Sequence, residues 1–189
     1  MNITFRVRTD TIIIKDMKHK SLVAFFSRAE ENYNVGYIEK GNTEITAEII
    51  ARLTGADLFR IETTTPYPSD YRSCTETAGR EKNGNARPEI KNYVQIENYD
   101  IVFIGYPIWW EDMPMAVYTF IGQHDWHGKT VIPFCTHEGS GLSGTERNIT
   151  SACKGATILK GIAIRGTIAQ RSESRTEQTV AEWLKRLRL

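Results

Sequence analysis

Four short, almost unbroken apolar runs punctuate the chain: Ser21 to Phe26, Ile101 to Ile104, Thr130 to Phe134 and Gly161 to Ile164. Runs of this length without polar alternation describe strands buried on both faces, the signature of a parallel sheet. Ala56 to Ile61 is more mixed and reads as a strand nearer an edge. Between the runs the period changes to that of helices. Ile45, Ile49 and Leu53 recur every four residues and meet Gly55 as a stop. Pro114 opens a helix carrying Ala116, Val117, Phe120 and Ile121 on one face, with Gly122 after it. Val180, Trp183, Leu184 and Leu187 give the last helix its apolar stripe, and the polar segment from Asp70 to Lys82 is compatible with a further helix.

Strands alternating with helices imply βαβ units with right-handed crossovers. The predicted class is α/β: a doubly wound, three-layer αβα sandwich around a five-stranded parallel sheet, for which the order 2-1-3-4-5 is one common solution. The 189 residues suit one domain. Residues 18–189 are read as that domain and residues 1–17 as an N-terminal extension that is dispensable, although Thr11 to Ile14 could add an edge strand.

Composition narrows the function. Lys plus Arg number 24 against 23 Asp plus Glu, so no strong field draws the chain to nucleic acid. No apolar run approaches the roughly 20 residues of a membrane span. The first 20 residues lack the apolar stretch and cleavage site of a signal peptide. The three cysteines, Cys74, Cys135 and Cys153, have no metal-type spacing and do not form an even disulfide set. A reducing cytoplasm is the expected compartment, and no metal site is expected.

The chemistry gathers in three strand-to-helix loops. The third strand runs into Gly105-Tyr106-Pro107-Ile108-Trp109-Trp110, which offers large flat side chains at the carboxyl edge of the sheet, where open α/β sheets bind ligands. A planar aromatic ligand suits such a platform; capping of the core by both indoles is the rival reading. Before the first helix, Gly41-Asn42-Thr43 combines close backbone approach with free amides aligned on the helix dipole, a site for phosphate. After Phe134, the stretch Cys135-Thr136-His137-Glu138-Gly139-Ser140-Gly141 exposes main-chain groups suited to the edge of a heterocycle.

These motifs, with Tyr67-Pro68-Ser69-Asp70-Tyr71 after the second strand, resemble a bacterial group of the flavodoxin-like superfamily over roughly residues 18–189. The resemblance implies non-covalent FMN. It places Ser27, Asn42 and Thr43 on the phosphate, with Gly41 in the same loop. Tyr106, Pro107, Ile108, Trp109 and Trp110 then belong to the isoalloxazine loop, and Thr136, Glu138, Gly139, Ser140 and Gly141 to the pyrimidine edge. Arg28 is a further candidate for the phosphate, because Ala29 to Lys40 is inserted between Ser27 and Gly41. That insertion is long for a βα connection and reads as a mobile surface loop, a lid or a partner surface.

Glu111 stands where relatives often carry glycine, and no glycine lies between Tyr106 and Gly122. In electron-carrying members, a glycine there lets a peptide flip to bond the reduced ring, so one-electron chemistry is disfavoured here. Carrier members are also usually strongly acidic, which this chain is not. Two functions remain in view. One is an FMN-dependent oxidoreductase taking hydride from NAD(P)H and passing electrons to a quinone-like acceptor. The other is a flavodoxin carrier serving a redox partner protein. His137 is the one candidate for proton transfer. Glu111, Asp112 and Glu138 are the carboxylates expected beside the ring, where negative charge would lower its potential. Cys135 reads as buried packing rather than a redox thiol.

Overall fold

The computed structural model describes residues 19–187 and 189; the possible strand at Thr11 to Ile14 lies outside the described residues. The chain runs β1 (Ser21–Phe25), β2 (Glu30–Asn32), β3 (Gly36–Ile38), α1 (Asn42–Thr54), β4 (Asp57–Arg60) and α2 (Tyr71–Asn83). It continues through β5 (Ile101–Pro107), α3 (Met115–Gly122), β6 (Thr130–His137), α4 (Thr145–Ala152), β7 (Thr157–Ile158), β8 (Ile162–Arg165), α5 (Gly166–Arg171) and α6 (Glu173–Leu187). The main sheet is parallel, in the order β4-β1-β5-β6, with β7 and β8 both paired to the outer side of β6. Counting β7 and β8 as one interrupted strand gives the predicted order 2-1-3-4-5.

The interruption has a cause inside β6. The carbonyl of Val131 accepts from Leu159 N at 3.0 Å, so alternate residues of β6, Pro133 among them, present their main chain to this neighbour. Proline has no N–H to donate, and the ladder lapses opposite it before resuming at Phe134 and Ile162. Gly161 fills the gap because a Cβ there would fall 2.7 Å from the Pro133 carbonyl oxygen.

Alternation along the strands divides the core in two. Val23, Phe25, Ile101, Phe103, Ile132 and Phe134 face α1 and α6, whose Ile49, Ile50, Leu53, Val180, Trp183 and Leu184 are buried against them. Leu22, Ala24, Val102, Ile104, Tyr106, Val131 and Cys135 face the other layer, where Val117, Phe120 and Ile121 of α3 and Ile149 of α4 pack. Local chemistry sets the end of α1 and the start of α2. Gly55 closes α1 at φ 74, and Asp70 opens α2 by accepting from Ser73 N at 2.8 Å. On β4, Leu58 remains 49% exposed, as expected of an edge strand. No helix among the described residues is long and apolar enough to cross a membrane.

The Ala29 to Lys40 insertion is an antiparallel hairpin of β2 and β3, pairing Glu30 with Ile38 and Asn32 with Gly36. It is fastened rather than loose. The Arg28 side chain is only 7% exposed, and its guanidinium donates to the carbonyls of Glu31 at 2.5 Å, Pro68 at 2.6 Å and Ser69 at 2.5 Å. Glu31 in turn accepts from Tyr71 N at 2.7 Å. These bonds weld the hairpin to the loop between β4 and α2.

Candidate functional site

The carboxyl ends of β1, β5 and β6 open onto a cleft of about 330 Å³, within the size range of small-molecule sites. Of the residues expected to bind, Arg28, Asn42, Pro107, Ile108, Trp109, Trp110, Thr136 and Glu138 line it, as does His137. Ser27, Gly41, Thr43, Tyr106, Gly139, Ser140 and Gly141 are not on its walls.

The two tryptophans do different work. Trp109 is half-buried and wedged edge-on between Phe26 and Tyr67, with ring centroids 5.3 and 5.1 Å away. It is both core packing and cleft wall, so the two readings of the aromatic pair meet in one residue. Trp110 is 54% exposed at the rim, its indole donating to the Thr75 carbonyl at 2.9 Å and lying against Gly79. The Lys82 ammonium donates to the Trp110 carbonyl.

Trp109 and Asp112 exchange both main-chain hydrogen bonds, at 2.9 and 3.0 Å, while Trp110 and Glu111 have φ of 52 and 62. Positive φ at both central positions is the type I′ pattern, normally filled by Asn-Gly. Glu111 therefore occupies the conformation a glycine would favour, and the left-handed backbone is already in place. Glu111→Gly should stabilise the protein by about 1 kcal/mol by removing this penalty. The check is a raised urea midpoint at unchanged slope.

In the first loop, Ser27 Oγ accepts from Glu44 N at 3.0 Å and so caps α1 from outside the helix. Gly41 is required beside it, since a Cβ would sit 2.2 Å from Ser27 Oγ and 2.5 Å from the Arg28 carbonyl oxygen. The Thr43 and Thr136 hydroxyls bond each other at 2.8 Å in the buried seam between α1 and β6. Asn42 faces the cleft, and its buried Oδ1 has no hydrogen-bond partner in the protein. The terminal nitrogens of Arg28 are committed to the carbonyls of Glu31, Pro68 and Ser69, while its buried Nε has no hydrogen-bond partner in the protein.

In the third loop, His137 Nδ1 accepts from Gly139 N at 2.9 Å and Gly141 N at 3.0 Å. Amides expected to meet a heterocycle are thus turned onto the histidine, whose proton resides on Nε2. Burial, followed by the positive charge of Arg165, holds the His137 pKa below its ordinary 6.5; Glu138 opposes the shift. Protonating Nδ1 would break both bonds. The histidine's contribution to stability is complete above about pH 6.5 and is lost as pH falls through the lowered folded-state value. The urea midpoint should accordingly fall on acidification below pH 6.5, with a shallower fall in His137→Asn.

Of the three carboxylates, Glu138 alone is on the cleft wall, where it accepts from Thr167 N at 2.6 Å and caps α5. Asp112 is turned away, accepting from Met113 N at 2.8 Å, Tyr118 Oη at 3.0 Å and Asn148 Nδ2 at 2.9 Å. Glu111 is exposed in the turn. Tyr106 is fully buried with its hydroxyl on Thr145 Oγ1 at 2.7 Å. Cys135 is buried, and desolvation pushes its thiol up to about 12, which leaves it inert. Among the described residues no cluster of three or more His, Cys, Asp or Glu side chains could hold a metal.

Sequence reasoning missed one wall. Tyr71, Cys74, Thr75 and Ala78 of α2 line the cleft, joined by Asn32 and Tyr33 of the hairpin. The three-to-four residue spacing along α2 was a legible signal for one helix face.

A doubly wound sheet with its cleft at the switch between β1 and β5 defines the flavodoxin-type architecture. The flavodoxin family model matches residues 20–187, and the chain belongs to that family. It is 31% identical to a Bacteroides eggerthii protein assigned as a flavoprotein, over 90% of this chain and 99% of that one, with a TM-score of 0.72. A Lactobacillus acidophilus flavoprotein in complex with FMN shares the fold at 19% identity and a TM-score of 0.61, over 81% of this chain and 97% of that one. An NADH:FMN oxidoreductase does so at 14% identity and a TM-score of 0.53, over 89% and 88%. No curated protein matches the chain in sequence.

Proposed function

We propose that the protein is an FMN-dependent oxidoreductase that takes hydride from NAD(P)H and reduces a quinone-type acceptor. The observation carrying this reading is that one cleft collects side chains from three separate loops, each suited to a different part of a flavin nucleotide. The residues fit that group. Asn42, whose side-chain amide would have to turn over to present Nδ2 in place of the unpartnered Oδ1, and the leading amides of α1 would hold the phosphate. Trp109 and Trp110 would flank the ring, and Thr136 with the His137 to Glu138 segment would meet its edge.

The flavin supplies two-electron redox chemistry when bound. In the net reaction, NAD(P)H gives up a hydride and becomes NAD(P)+, one further proton comes from solvent, and the acceptor leaves as the hydroquinone. The chain's own part is to orient the reactants, exclude water and hold a proton on His137 Nε2. Ser27 and Gly41 fix the start of α1, and His137 fixes the glycine loop, so the site is positioned before any ligand arrives. The net charge of +1 gives no electrostatic steering to a charged protein partner, which favours a small-molecule acceptor over a carrier role. The exposure of Trp110 favours the carrier.

Anaerobic mixing of the FMN-loaded protein with NADH or NADPH separates the two. The oxidoreductase reading expects bleaching of the flavin band and its recovery on adding a quinone. No bleaching with either nucleotide, together with reduction by a one-electron donor protein, would establish the carrier instead.

A further inference from the structure

We infer that Tyr33 of the hairpin and Tyr71 of α2 form the subsite that takes the ring of a planar aromatic acceptor. The inference rests on the oxidoreductase reading and names which residues choose its acceptor. Both side chains line the same cleft as Trp109 and Trp110. Their rings lie 6.0 Å apart at 30°, and they remain 58% and 40% exposed. Two large aromatic side chains held nearly parallel at the mouth of a cleft, instead of folded into the core, offer flat area at low entropic cost.

The arrangement is fixed by the backbone beneath it. Glu31 N donates to the Ser69 carbonyl at 3.3 Å, and Tyr71 N returns a bond to the Glu31 carboxylate. Arg28 bonds carbonyls on both sides of the joint. Tyr33 is therefore carried to Tyr71 by a braced hairpin, and the inserted segment is a wall of the site.

The occupant is a small planar molecule and not a protein. Both rings line a cleft of about 330 Å³, whereas a stable protein contact needs about 800 Å² of surface from each partner. The charged groups beside the two rings are engaged within the joint, Arg28 on the carbonyls of Glu31 and Ser69, Glu31 on Tyr71 N and Asp70 on Ser73 N, so the chemistry the rings leave for a ligand is that of an uncharged aromatic ring system of quinone type. A non-planar inorganic acceptor has nothing to stack on here.

The test compares wild type with Tyr33→Ser/Tyr71→Ser and Tyr33→Phe/Tyr71→Phe, using 2-methyl-1,4-naphthoquinone as probe. Affinity is read first on oxidised, FMN-loaded protein, by equilibrium dialysis of the quinone. The serine pair should weaken it by at least about tenfold and the phenylalanine pair by less than about threefold, as stacking requires. FMN affinity should stay within about threefold of wild type in both. With FMN-loaded, photoreduced protein, the serine pair should raise the half-saturating quinone concentration while leaving oxidation by ferricyanide unchanged. Unchanged quinone affinity in the serine pair would overturn the inference. So would an equal loss of FMN affinity, which would place both tyrosines in the flavin's own site. Failure of NAD(P)H to reduce the protein would defeat the oxidoreductase reading alone, because neither quinone measurement uses that donor.

Discussion

Gly105→Ala is expected to destabilise the protein by about 3 kcal/mol or more, the upper range for overpacking a closed core. A Cβ at this position would lie 2.0 Å from Phe134 Cζ and 2.5 Å from its Cε2. Phe134 has nowhere to go. It is fully buried, paired in register with Gly105, and enclosed by the layer of α1 and α6. Gly105 also pairs with Phe25 on its other side, so the backbone cannot yield by sliding toward β1. Urea unfolding checks the loss, and Gly105→Ala combined with Phe134→Leu should recover part of it because the two sites share one space. A loss below about 1 kcal/mol would mean that β5 and β6 are less tightly packed than their pairing requires.

The second large effect concerns binding. Asn42→Asp should weaken FMN by about 100-fold, equivalent to about 2.8 kcal/mol, while weakening riboflavin far less. The change is nearly isosteric, and an acidic residue in the first turn of a 13-residue helix favours its dipole, so the fold is preserved. What changes is charge at the side chain nearest the proposed phosphate position. Equal weakening of FMN and riboflavin would move the phosphate away from Asn42. Fluorescence titration of both flavins against both proteins makes the comparison.

The central strands were legible because they are apolar on both faces, and their loops because open sheets collect them at one edge. Legibility failed where a feature depended on a partner distant in sequence. The break in the fifth strand follows from Pro133 in the neighbouring strand. Helix α4 buries only Thr145 and Ile149, too few to show a period, and α5 has only six residues. The strands of the hairpin are polar and largely exposed, so nothing in Glu30 to Ile38 announced pairing.

Within the site, residue types were read more accurately than their duties. Ser27 was assigned to a ligand and here caps α1. Arg28 was a further candidate for the phosphate, and its terminal nitrogens brace the hairpin. The glycine amides, expected to face a heterocycle, face His137. In each case polar atoms expected to serve a ligand have partners in the protein, Arg28 Nε excepted, and only the folded backbone shows which. Glu111 is the converse: the missing glycine was visible, but the left-handed turn it must adopt was not.

The claim that this cleft is a flavin site is tested most directly by equilibrium titration of FMN with the purified protein, followed by flavin fluorescence. Quenching is expected to saturate at one FMN per chain, with a Kd at or below about 1 μM and matched quenching of tryptophan emission as Trp109 and Trp110 meet the ring. FMN fluorescence that stays at its free value through about 100 μM protein would contradict it.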